Sequence, residues 1–250
     1  MSGHSKWATI KHKKGAADAK RGKIFSKIAK EIMVTVRASG SDPASNITLR
    51  ALIEKGRAAN MPSDNIERAI KRGAGELEGE VLEEVTFEGY GPGGVGLVVQ
   101  TLTNNRNRSA AEVRHVFTRH SASFAGQGSV LRSFQRKGDI LVEASKVDED
   151  KLMELVLDAG AEDMTREGDE FEVITDPAQF MNVVDALKKA NIPMTQSEIS
   201  LIPDTVIPIS DKSKADAMIR FIEELEDLDD VQNVYSNFDV DPAIAEQLSK

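Results

Sequence analysis

The stretch DILVEASKVDEDKLMELVLDAGAEDMTREGDEFEVIT, at residues 139–175, changes its hydrophobic pattern several times. A short apolar run at 140–143 predicts a strand, and the apolar residues after it recur at helical spacing. Those helical positions are Leu152, Leu155, Val156 and Ala159. Apolar residues on both sides of Gly168 then predict two strands joined by a tight turn. The stretch is therefore predicted to run strand, helix, strand, strand.

The residues that follow complete a recognisable unit. Asp176 and Pro177 are typical of a helix N-cap and first helical position, and apolar residues recur at helical spacing as far as Leu187. A further strand is predicted at 198–202. Because the order βαββαβ is that of the ferredoxin-like fold, we expect residues 138–203 to form one such α+β domain.

Each flank of this unit looks like half of a domain. Residues 81–137 predict a hairpin, a helix and a strand, and residues 204–240 predict an extended segment, a helix and a strand. We therefore expect the two flanks to complete each other as a second ferredoxin-like α+β domain. The 138–203 domain would then be inserted into this discontinuous middle domain.

The N-terminal third has a helical pattern. Residues 23–80 predict a bundle of amphipathic helices with an exit linker rich in glycine and glutamate. In the first helix, Lys23, Lys27 and Lys30 are predicted to lie on the solvent side. The predicted fold class is therefore multidomain α+β: an all-α bundle, preceded by a basic arm at 1–22, and followed by the two ferredoxin-like domains.

Charge is sorted along the chain. The net charge is −9, yet residues 1–75 hold 16 Lys and Arg against six Asp and Glu, whereas residues 138–204 hold five against 17. Because electrostatic attraction falls off over about 8 Å at physiological salt, local charge decides what each end can bind. The basic end predicts a polyanionic partner, DNA or ribosomal RNA.

The chain has no cysteine, which excludes disulfides and thiolate chemistry. No apolar run reaches the length of a membrane span, and the N-terminus has no signal-peptide core, so we expect a cytoplasmic protein without a membrane partner.

The basic arm and the start of the first helix are the main candidate nucleic-acid-binding site. The candidate residues are Lys6, Trp7, Lys11, His12, Lys13, Lys14, Lys20, Arg21, Lys23 and Lys27. Lysines contact phosphates without fixed spacing, and Trp7, which has few apolar neighbours, could stack on a base. The alternative is that these lysines are only a solvated helix face.

A second candidate site lies around residue 106. Arg106 and Arg108 precede a predicted helix that carries Arg114, and Ser109 with Glu112 form an S-x-x-E capping box at its start. Guanidinium groups beside a helix N-terminus can hold a phosphate. The alternative is a polar loop that happens to contain arginines.

Other patterns carry little chemistry. Gly91, Gly93 and Gly96 satisfy G-x-G-x-x-G, but a strand follows, so a hairpin turn is the better interpretation. The acidic run at 223–230 is typical of a solvated helix end. Without a nucleophile, base or metal-ligand motif, we expect no enzyme activity, cofactor, metal or small-molecule substrate.

Four long motifs resemble the YebC/PmpR family, whose eukaryotic relatives include a mitochondrial translational activator of cytochrome c oxidase subunit I. They are GHSKWATIKHKKGAADAKRGKIFSKIAKEI, NMPSDNIERAIKRGAG, FEGYGPGGVGLVVQTLTNNRNRS and LEDLDDVQNVYSNFDVD. The resemblance implies three domains, with the third inserted in the second.

The resemblance also implies a DNA-binding transcriptional regulator or, as the alternative, a ribosome-associated translation factor that binds ribosomal RNA. The chain departs from the family pattern at Asn104, at Ser121, Ala122 and Ser123 where glycines are usual, and at 131–132.

Overall fold

The computed structural model describes residues 18–241 and residue 244, with side chains from residue 22 onward. This part of the chain holds seven α-helices and ten strands. The helices are α1 (Asp18–Ser39), α2 (Ile47–Ala58), α3 (Ser63–Gly73), α4 (Arg106–Arg119), α5 (Glu149–Asp158), α6 (Phe180–Lys189) and α7 (Lys212–Glu226). The strands are β1 (Glu83–Tyr90), β2 (Gly96–Thr103), β3 (Ser123–Phe124), β4 (Phe134–Glu143), β5 (Ala161–Glu167), β6 (Glu170–Thr175), β7 (Met194–Pro203), β8 (Ile207–Ile209), β9 (Val231–Ser236) and β10 (Phe238–Val240). The fold is therefore α+β, as the sequence predicts.

Helices α1, α2 and α3 pack around a small apolar core. The buried core residues are Ile28, Ile32, Val36, Leu49, Met61, Ile66 and Ala69. Asn46 caps α2 by accepting the backbone N–H of Leu49 at 3.0 Å. A Cβ on Gly73 would lie 2.7 Å from the carbonyl oxygen of Met33, so glycine is needed for α3 to end directly against α1.

The middle sheet has the antiparallel order β3-β1-β2-β9 and packs its apolar face on α4 and α7. In chain order this unit starts with the β1–β2 hairpin and has its first helix only afterwards. The hairpin and the helix come in the order predicted, but that order is not βαββαβ, so the ferredoxin-like expectation is wrong for this unit. The physical reason is the short helical turn Pro92–Gly94, in which Gly93 and Gly94 have φ of 78° and return the chain directly into β2.

The second four-stranded sheet has the antiparallel order β5-β6-β4-β7, and α5 and α6 cover one of its faces. Its chain order is βαββαβ, which is the ferredoxin-like order. Strand β4 is continuous across residues 137 and 138 and pairs with β7 from Phe134 onward. The domain bounds given above stay a prediction, because one strand serves both sides of the expected boundary.

The two sheets meet in a shared apolar cluster. Val98, Val130 and Tyr235 of the middle unit pack with Phe134 and Leu201, which lie on β4 and β7. Side chains buried in common between two sheets resist independent motion of the sheets, because separating them would expose apolar surface to water.

The loop before β4 is tied to β1 by a carboxylate. Glu88 accepts the backbone N–H groups of Gly128, Val130 and Leu131 at 2.6, 2.7 and 2.9 Å. Burial alone would raise the pKa of Glu88, but the three N–H donors outweigh burial and lower it. An ionised Glu88 therefore fixes the start of the segment whose residues 131 and 132 depart from the family pattern.

Ser121 lies just after α4 with φ of 53°, a left-handed backbone conformation that glycine adopts without strain. We expect Ser121→Gly to raise the free energy of unfolding by about 0.5–1 kcal/mol, because relief of the left-handed penalty exceeds the entropic cost of glycine. Urea denaturation measures the change.

The matched control is Ser123→Gly, since Ser123 pairs with Tyr90 in extended backbone. Glycine there should lower the free energy of unfolding. Equal changes in the two variants would contradict the backbone argument.

Within residues 18–241, no helix is both long enough and apolar enough to cross a bilayer.

Candidate nucleic-acid interface

Three lysines on one face of α1 contact the C-terminal end of α7. The ammonium groups of Lys23, Lys27 and Lys30 donate to the carbonyl oxygens of Asp227, Glu226 and Asp229 at 2.9, 2.9 and 3.0 Å. The last carbonyls of a helix lack intrahelical donors and carry partial negative charge, so cations stabilise them. The prediction that this lysine face points to solvent is therefore wrong for Lys27 and Lys30, which are partly buried where the helical bundle meets the middle unit, whereas Lys23 keeps an exposed side chain.

Asp230, directly after Asp229, joins three segments of the chain. Its carboxylate accepts the hydroxyls of Thr103 and Ser109 at 3.0 and 2.8 Å, the guanidinium of Arg108 at 2.6 Å and the ammonium of Lys30 at 3.1 Å. Burial alone would raise the pKa of Asp230, but hydrogen bonds from these four donors lower it to about 2. The carboxylate is therefore ionised at neutral pH and holds α1, β2 and α4 to β9.

Helix α4 begins earlier than its sequence indicates. Asn105 is the N-cap and accepts the backbone N–H of Arg108 at 3.1 Å. The predicted capping box at Ser109 is therefore wrong, because Ser109 is buried within the first turn and donates to Asp230 instead. Arg108 and the start of α4 do hold an anion, and that anion is a carboxylate of the same chain.

The remaining candidate cations are spread over different surfaces. Arg106 is exposed at the N-terminus of α4, and Arg114 lies two turns further along, with its guanidinium 5.1 Å from the ring centroid of Phe124. The backbone of Lys20 and Arg21 belongs to α1. The arm candidates lie outside the described residues, and they are Lys6, Trp7, Lys11, His12, Lys13 and Lys14.

An open cleft of about 670 Å³ lies where these elements meet. Lys23, Lys30 and Arg108 line it together with Glu80 and the acidic turn at 227–230. Because the cleft mixes both charges, its cations are partly neutralised. Of the predicted site residues, Lys23 and Arg108 thus come together in the cleft, but beside acidic groups, while Lys27 donates to the carbonyl oxygen of Glu226.

Sequence reasoning missed Asp230 as the centre of this junction. It was one acid in a run that looked solvated, and its partners lie more than 120 residues earlier in the chain. One feature of the sequence did indicate burial of Asp230. It directly precedes the buried strand β9, whereas an acid at an exposed helix end is usually followed by polar residues.

Residues 5–76 match the family described as the TACO1/YebC protein N-terminal domain, and residues 82–238 match the TACO1/YebC second and third domain. The chain belongs to the TACO1/YebC family. The resemblance drawn from the four sequence motifs is confirmed.

Relatives in the TACO1/YebC family are similar over their whole length. A protein of Syntrophobacter fumaroxidans is 50% identical over 249 residues, covering 100% of both chains, and one of Geobacter sulfurreducens is 51% identical, covering 99% of this chain and 100% of the relative. Both are named probable transcriptional regulatory proteins. The crystal structure of a conserved hypothetical protein from Aquifex aeolicus is similar with a TM-score of 0.80 and 45% identity, over 90% of this chain and 92% of that one.

Proposed function

We propose that this chain is a non-catalytic, cytoplasmic regulatory protein that binds DNA through the basic arm at 1–22 and the cations of the helical bundle. The observation that carries the proposal is the excess of 16 Lys and Arg over six Asp and Glu in residues 1–75 of an otherwise acidic chain. The names of the full-length relatives support the same regulatory role.

Affinity should come from phosphates and not from base edges. Lysines carry most of the charge of the arm, and lysine neutralises phosphate without reading sequence. Each neutralised phosphate releases condensed counterions, so the logarithm of the association constant should fall linearly with the logarithm of salt concentration. Arg106 and the exposed part of Lys23 could extend this surface, whereas Arg108 is mainly engaged by Asp230.

Charge reversal of the arm tests the proposal. We expect the variant K11E/K13E/K14E/K20E to bind a fluorescein-labelled 20-base-pair duplex at least tenfold more weakly than the unmodified protein, because about four phosphate contacts are lost. Fluorescence anisotropy at several salt concentrations gives both the dissociation constant and the salt slope.

The matched control is K146E/K151E/K189E/K212E, which makes the same change in net charge at exposed positions outside the basic end. It should bind the duplex nearly as well as the unmodified protein. Equal binding by the two variants would contradict the proposed role of the arm. Co-sedimentation with ribosomes without any protection of DNA would replace DNA by ribosomal RNA as the partner.

A further inference from the structure

Apart from Arg50, which is partly buried on α2, the cations of the helical bundle whose side chains the structure describes fall into two groups. Lys23, Lys27 and Lys30 contact the end of α7, Lys55 lies between Glu31 and Glu198, and Arg57 pairs with Glu54. Four other cations are exposed and have no acidic side chain within ion-pair distance among the residues that the structure describes. They are Arg37, Arg68, Lys71 and Arg72.

The second group gathers at one end of the bundle. Arg68, Lys71 and Arg72 stand at positions i, i+3 and i+4 of α3, so they share one helical face. Gly73 brings the end of α3 against the last turns of α1, which carry Arg37. A shallow groove of about 470 Å³ lies between the two helix ends and is lined by Val36, Arg37, Gly40, Ser41, Gly73, Ala74 and Gly75.

This group is held on a rigid support. Ile66 and Ala69 of α3 are buried in the bundle core, which leaves the opposite face of the helix to solvent. Glu67 stands four residues before Lys71, yet no ion pair joins them. The cations are therefore positioned by the fold while their charges remain available to a partner.

We propose that Arg37, Arg68, Lys71 and Arg72, named here the α3 patch, form a second contact surface for the phosphate backbone of duplex DNA. The proposal rests on the proposed function and specifies which cations of the helical bundle contact the DNA, on a surface separate from the arm and from the Asp230 junction. It predicts that the folded bundle itself, and not only the arm, contributes to affinity.

The composition of the patch fits a nucleic acid better than a protein. Protein interfaces have an apolar centre, whereas protein–DNA interfaces are polar and strongly positive. Between residues 37 and 75 the one large exposed apolar side chain is that of Ile47, at the start of α2. Three cations on one face of α3, with Arg37 lining a groove made mainly of small residues, therefore suit a phosphate chain.

A purely structural reading is available for part of the patch. Arg37, Lys71 and Arg72 lie in the last turns of their helices, where cations stabilise the helix dipole. That reading predicts lower thermal stability on substitution and unchanged DNA affinity. Arg68 lies in the turn before and separates the two readings, since it gains little from the dipole.

The experiment compares the full-length variant R68Q/K71Q/R72Q with the unmodified protein on a fluorescein-labelled 20-base-pair duplex of random sequence. We expect affinity at physiological salt to fall at least tenfold and the salt slope to fall by about 2–3, since each lost phosphate contact removes about 0.9. The single variant R68Q should lower the slope by about 0.9 with an unchanged unfolding temperature.

The matched control K146Q/K188Q/K189Q removes three exposed cations that lie outside the helical bundle and should leave the slope unchanged. Unchanged affinity and slope in both R68Q/K71Q/R72Q and R68Q would overturn the α3 patch, and if K11E/K13E/K14E/K20E still loses binding, the proposed function stands. Absence of binding by the unmodified protein would overturn both.

Discussion

Replacing Asp230 with asparagine should lower the free energy of unfolding by about 3 kcal/mol at neutral pH, because it removes a buried charge that four donors share. The four donors are those of Thr103, Ser109, Arg108 and Lys30. An asparagine keeps the shape of the side chain but turns one acceptor into a donor that faces other donors. The loss combines weaker hydrogen bonds with a partly buried ammonium, that of Lys30, and an exposed guanidinium, that of Arg108, which lack their counter-charge.

The stability lost in Asp230→Asn should become smaller as pH falls. The pKa of Asp230 is lowered from 3.8 to about 2, so its ionisation contributes about 2 kcal/mol of stability above pH 4. A lowered folded-state pKa means that this contribution disappears as pH falls from about 4 towards 2. Urea denaturation at pH 7 and at pH 3 should therefore show a smaller difference between Asp230→Asn and the unmodified protein at pH 3.

Asp229→Asn is the matched control, since Asp229 enters the junction through its backbone carbonyl oxygen and its side chain is exposed. We expect its free energy of unfolding to stay within about 0.5 kcal/mol of the unmodified value. A similar loss in both variants, or a loss in Asp230→Asn that does not change with pH, would show that the carboxylate is not the centre of the junction.

The contrast between Asp230 and its neighbours shows what a local pattern can predict. The alternation of apolar residues identifies β1, β2 and β9, and helical spacing identifies α1 and α7, because each pattern depends only on which side of an element is buried. A charged residue beside such an element has no comparable signal. Whether it meets water or a hydroxyl from a distant strand is decided by tertiary packing.

Lys23 and Lys27 of the candidate site show the same thing: a local pattern does not predict what a charged side chain contacts. Their spacing places them correctly on the polar face of α1, but a polar face can meet either solvent or the carbonyl end of another helix.

Strand β4 shows that the ends of an element are also hard to predict from a local pattern. The sequence predicts one strand near 129–136 in the middle domain and another at 140–143, but the structure has a single strand from Phe134 to Glu143 in the second sheet. Pairing with β7 carries it through the polar residues at 135–137, which lack an apolar pattern.

Gly89 lies where α4 packs most closely against the middle sheet. A Cβ on Gly89 would fall within 2.5 Å of the carbonyl oxygen of Ser123 and would overlap the ring of Phe117. Phe117 is fully buried and contacts Phe124 and Phe221, with ring centroids 4.7 and 5.0 Å away. The ring cannot turn aside without displacing two aromatic neighbours, and the oxygen belongs to the backbone of a paired strand.

We expect Gly89→Ala to lower the free energy of unfolding by about 3–4 kcal/mol, at the upper end of what overpacking costs, because neither neighbour can relax alone. Urea denaturation followed by circular dichroism measures the loss.

Gly126→Ala is the matched control, since its Cβ would meet only the Ser129 hydroxyl at 3.6 Å, and its free energy of unfolding should barely change. The double variant Gly89→Ala with Phe117→Leu should recover part of the loss, because a smaller side chain makes room for the methyl group. No recovery would place the strain at the Ser123 carbonyl instead of at the aromatic cluster.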